Sequence, residues 1–176
     1  MRATRVPYFE PIVGVAWWTV GTAALDGGIG TVVLAAGLGV TGVLVMVLRS
    51  RLGAGEPLPQ GGRSRFLRLL GITAALVAVA ATALGRLSWG ELAVPVAAAV
   101  VGVALLMLSS QLDERSLLAL GGCLMVLGAA GALLALGSAG ALYPQGVVGL
   151  AAGGLFWLTS AHRTGLLAEA RHRSRQ

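Results

Sequence analysis

An all-α, polytopic integral membrane protein is the fold class that this sequence predicts, with six transmembrane helices paired as three antiparallel hairpins and both termini on the cytoplasmic side. Three observations lead there. Of 176 residues, 56% are apolar and 11% are charged, with a mean hydropathy of +0.84; a water-soluble domain carries roughly 25% charged residues. The apolar residues collect into six stretches close to the ~20 residues needed to cross about 30 Å of hydrocarbon. The 13 basic residues, all arginine, gather in alternate connections between those stretches.

The same composition excludes a cytosolic enzyme and a disordered chain. A disulfide scaffold is excluded because Cys123 stands alone, and collagen because the 27 glycines keep no three-residue period. The whole chain, residues 1–176, reads as a single six-helix transmembrane domain.

The spans are expected at Pro7–Leu25, Ile29–Leu48, Phe66–Leu84, Leu92–Leu108, Leu117–Leu136 and Leu142–Ala161. The first has the shortest uncharged run, from Pro11 to Leu25, so Glu10 belongs at headgroup depth; Pro7 and Pro11 suit a helix start because their φ is already helical. Cytoplasmic retention of positive charge sets the orientation. With the N-terminus inside, twelve arginines and five acids lie on the cytoplasmic face, and Arg86, Asp26 and Glu91 lie outside, giving +7 against −1. Cleavage of the first helix as a signal peptide would leave five spans and put the arginine-rich tail outside, so that helix is read as retained.

Residues 49–65 (RSRLGAGEPLPQGGRSR) read as a flexible cytoplasmic loop, and residues 164–176 as a basic cytoplasmic tail. Short outer connections at Asp26–Gly28, Gly85–Glu91 and Gly137–Ala141 force the first helix onto the second, the third onto the fourth and the fifth onto the sixth. Six spans in short hairpins within fewer than 200 residues resemble the HdeD-type bacterial membrane proteins. That resemblance implies helix number alone, with Pro144 the one proline at a hairpin tip, and no functional residue is carried across.

Helices in lipid associate through close backbone approach, because lipid tails are as apolar as leucine. Gly149 and Gly153 form a GxxxG pair, and Ala35/Gly39, Ala74/Ala78, Ala98/Gly102 and Gly128/Ala132 are small pairs four apart, each on one helix face. These faces suit packing between neighbouring spans or a dimer seam. Tyr8, Phe9, Phe66, Trp89, Tyr143 and Trp157 fall where interfacial anchors are expected, while Trp17 and Trp18 fall mid-span in packing positions. Cys123 reads as a small buried filler.

Candidate site chemistry is sparse. No expected span has a carboxylate or histidine in its interior; Glu10, Asp26, Glu91, Asp113 and Glu114 all fall at ends. Asp26, in the outer turn Asp26-Gly27-Gly28, is the weak candidate for a polar site. His162 and His172 both follow the last span, so no metal or haem site is expected, no cofactor, and no catalytic residue. Arg49, Arg51, Arg63, Arg65, Arg171 and Arg173 are expected to contact headgroups of an anionic cytoplasmic leaflet rather than nucleic acid.

Two functions follow. One is a non-catalytic small subunit, scaffold or regulator in a bacterial cytoplasmic membrane, packing on a membrane-protein partner or on copies of itself. The alternative is a carrier or channel for a small neutral or hydrophobic solute, lined by Thr19, Thr22, Thr31, Thr41, Thr73, Thr82 and Thr159. Helical threonines often bond their own backbone, which removes them as pore groups.

Overall fold

The computed structural model describes residues 8–25, 27–53, 62–112, 114–137, 143–163 and 165. They form six α-helices: α1 (Phe9–Thr22), α2 (Gly27–Leu52), α3 (Gly62–Arg86), α4 (Ala93–Leu112), α5 (Arg115–Gly137) and α6 (Tyr143–Arg163), with one 3-10 turn, Gly90–Leu92, leading into α4. The prolines within them obey helix-start chemistry. Pro11, Pro95 and Pro144 lie in the first turns of α1, α4 and α6, where no backbone N–H is required.

Contacts at both ends of the bundle fix the up-and-down alternation. At one end, the Tyr8 hydroxyl donates to the Gly53 carbonyl, tying the start of α1 to the end of α2. Phe9 meets Phe66 of α3 edge to face at 5.6 Å, and Arg163 at the end of α6 meets Glu10 of α1 and Glu114 between α4 and α5. At the other end, Gln145 Nε2 donates to the Gly90 carbonyl at 3.0 Å. Arg49, Arg51, Arg63, Arg65, Arg68 and Arg115 therefore share one end, and Arg86 lies at the other.

Among the described residues, four helical segments are long and apolar enough to cross a membrane: Gly27–Arg51, Gly62–Arg86, Gly90–Ser110 and Arg115–Gly137. The first and last helices fall short of the six expected. α1 has 14 residues, about 21 Å of helix against ~30 Å of hydrocarbon. α6 has 21 residues but carries Gln145, Thr159, Ser160, His162 and Arg163. It sits in the middle of the bundle, touching α1, α2, α4 and α5, so protein rather than lipid surrounds most of its length.

The hairpin partners do touch, but the closest packing runs across them, between α4 and α5 and between α1 and α6. Glycine explains both pairings. A methyl group added at Gly149 would lie 2.6 Å from Gly21 Cα, and one at Gly102 or Gly121 would lie 2.7 Å from the carbonyl oxygen of the other. Only hydrogen fits at such crossings. The core comprises Trp17 of α1, Ala98, Leu105 and Leu108 of α4, Leu117, Leu120 and Leu124 of α5, and Val148, Ala152 and Phe156 of α6. α2 and α3 contribute no residue to it, although Phe66 and Leu69 of α3 pack against it, and among the described residues the two helices do not meet. The expected loop at 49–65 is shorter than read, because α2 runs through Leu52 and α3 begins at Gly62; residues 54–61 lie outside the described residues.

Candidate functional site

Three charges meet at the arginine-rich end. Glu10 is 2% exposed in the first turn of α1, and Arg163 Nη1 donates to its Oε1. Arg163 Nη2 donates to Glu114 Oε1 at 2.6 Å. Each group sits at the helix terminus that suits its sign: Glu10 at the N-terminus of α1, Glu114 just before α5, Arg163 at the C-terminus of α6. Glu114 is held by its own backbone, its N–H donating to the Ser109 carbonyl and its carbonyl accepting from Leu117 at 3.1 Å each. Phe9, Phe66, Leu108 and Leu117 surround the cluster. Burial pushes the Arg163 guanidinium down to about 10, so it stays charged at neutral pH, one cation between two carboxylates.

Next to this cluster begins an apolar groove between α1, α3 and α4. A cavity of about 90 Å³ near the cluster is bounded by Phe9, Val13, Phe66, Thr73, Val101 and Leu105 among others. Further along, a cavity of about 290 Å³ is bounded by Trp17, Val20, Val77, Ala81, Val94 and Ala97. α3 meets α4 through a half-buried stripe, Phe66, Leu69, Thr73, Val77, Ala80, Ala81 and Leu84, at helical spacing.

The small residues expected to pack divide into two groups. Gly149 and Gly153 face α1, at Gly21 and at Gly14 and Trp18; Gly102 faces Gly121 and Met125, and Gly128 faces Pro95 and Ala99. Ala98 is fully buried and Ala132 half-buried. Ala35, Gly39, Ala74 and Ala78 instead face outward, with nothing near Gly39. Sequence reading missed Gly14, Gly21 and Gly121, because glycines seven apart or adjacent to another glycine give no four-residue signal.

Several other expectations are corrected. Cys123 is exposed rather than buried, because the packing stripe of α5 runs through Gly121, Leu124 and Gly128 and position 123 points about 100° away from Leu124. Trp157 is no interfacial anchor: it is 8% exposed, its indole crosses that of Trp18 at 4.7 Å, and it lies over Gly14. Trp18 Nε1 donates to the Val33 carbonyl at 2.8 Å, joining α1 to α2. Trp89 is exposed. All seven threonines proposed as pore groups donate to carbonyls of their own helix.

Arg49, Arg51, Arg63 and Arg65 are exposed. Asp26, Arg171 and Arg173 lie outside the described residues, as do the tail beyond Gly165 and the side chain of Tyr143. Among the described residues no three potential metal ligands group together. Comparison with protein-family models, curated proteins and solved structures finds no match.

Proposed function

We propose that this chain is a six-span protein of the bacterial cytoplasmic membrane, with both termini on the cytoplasmic face, acting without catalysis as a small subunit, scaffold or regulator. The observation that carries this reading is the outward placement of small residues on the two peripheral helices. Ala35, Gly39 and Gly42 on α2, and Gly71, Ala74, Ala78 and Gly85 on α3, recur at helical spacing on exposed faces, with open space around each glycine. Elsewhere in this bundle the same residue types bring two helices into backbone contact, and in lipid that approach is what drives association. α1 and α6 span as the core pair, shielded by their neighbours and closed at the cytoplasmic end by Glu10, Arg163 and Glu114.

The arginine-rich end supports the orientation, since positive charge is retained in the cytoplasm. The alternative, a carrier, finds support in the groove between α1, α3 and α4, whose apolar lining suits a hydrophobic solute rather than a polar one. Extraction in mild detergent with identification of co-purifying proteins, paired with flux measurements in proteoliposomes, separates the two. A stoichiometric membrane partner or self-association lost in Gly39→Leu supports the subunit reading, and solute-dependent flux from the chain alone overturns it.

A further inference from the structure

The two cavities follow one another along the groove between α1, α3 and α4. Each helix steps from the first to the second in a single turn: Val13 to Trp17, Thr73 to Val77, Val101 to Ala97. Along α3, from Phe66 to Ala81, the groove extends about 22 Å at 1.5 Å per residue, more than the ~15 Å depth of one leaflet's hydrocarbon. Its width excludes a helix. A helix with side chains is about 10–12 Å across, whereas Phe9 and Phe66 are in edge-to-face contact across the arginine-rich end and the first cavity holds about 90 Å³. The occupant that fits is slender and apolar.

Charge at the mouth selects its head. Arg63 precedes Phe66 by three residues and Leu70 by seven, on the row that forms the groove wall, and Arg65 precedes Leu69 by four; both are exposed. The described carboxylates Glu10 and Glu114 at this end are each engaged with Arg163. We propose that the groove holds one acyl chain of an anionic phospholipid, with the phosphate bound by Arg63 and Arg65. This rests on the membrane-embedded reading above and names a specific lipid site within it.

The test uses the full chain in phosphatidylcholine nanodiscs containing a minority of phosphatidylglycerol, with a photoactivatable group on the acyl chain of one lipid or the other. Expected are phosphatidylglycerol cross-links concentrated on α4 from Ala97 to Ala104 and on α3 from Thr73 to Val77. Arg63→Gln and Arg65→Gln should each lower them about fivefold and leave phosphatidylcholine labelling unchanged. Ala97→Trp should block labelling at the deep end; if that variant fails to fold, the two surface arginine variants still decide. Cross-links spread equally over the outward face of α2 at Val32, Val43 and Met46, equal groove labelling by both lipids, or a cationic amphiphile displacing the anionic probe would overturn the proposal. Release of the chain from native membranes by alkaline carbonate would instead sink the membrane-embedded reading itself, a separate result.

Discussion

Glu10 in the first turn of α1 and Arg163 in the last turn of α6, 153 positions apart, form an ion pair in which the carboxylate is almost fully buried. The pair closes the crossing of α1 with α6, and Glu114 extends it to the α4–α5 connection. Removing one partner leaves a desolvated charge without compensation, a larger loss than the net contribution of the pair. Arg163→Gln should therefore destabilise the folded bundle by about 3 kcal/mol. Glu10→Gln combined with Arg163→Gln should cost clearly less than the two single changes added together. Thermal unfolding in detergent for the four proteins of this cycle gives the answer, and strict additivity would remove the pair as an energetic unit.

Gly149 and Gly39 make a controlled comparison, since both are helical glycines in small-residue pairs but only Gly149 meets another backbone. Gly149→Leu must push α6 away from Gly21 and should cost about 2–3 kcal/mol or more. Gly39→Leu meets open space, so monomer stability should change by about 0.5 kcal/mol or less, while association through the α2 face should weaken. Unfolding midpoints and the size of the detergent-extracted species measure the two effects separately.

Trp18 connects three helices, with its Nε1 on the Val33 carbonyl, its indole against Gly37 and its ring beside Trp157. Trp18→Phe retains an aromatic ring but loses the donor, leaving the bundle weaker by roughly 1 kcal/mol. The fluorescence of Trp157 should shift as its neighbour changes. An unaltered spectrum together with unaltered stability would count against this bridging role.

Ser88 ends α3 in the left-handed region, φ 62°. Its N–H donates to the Gly85 carbonyl while Trp89 N–H reaches back to Leu84 at 2.8 Å, the hydrogen-bond pattern that usually places glycine at this position. Ser88→Gly should raise stability by about 0.5–1 kcal/mol. A lower unfolding temperature for that variant would mean that the serine side chain contributes something the backbone geometry does not require.

The number of helices, their approximate limits and the gathering of arginine at one end were all legible in the sequence. Apolar run length, proline position and charge are local properties, and helix geometry converts them into elements directly. Even the fate of the threonines could be read, because a hydroxyl within reach of a carbonyl four residues back needs no tertiary partner. The tertiary structure alone decided that α1 pairs most closely with α6 and α4 with α5. Connection lengths specify only which helices can be neighbours, whereas the winning contacts depend on where a missing side chain on one helix faces a missing side chain on another. For the same reason Glu10, Glu114 and Arg163, three separate end-of-helix charges along the chain, became one cluster around the buried Glu10 only when the bundle closed. Cys123 turned outward because rotation of α5 was set by Gly121 and Gly128 against α4, a choice that no single helix makes by itself.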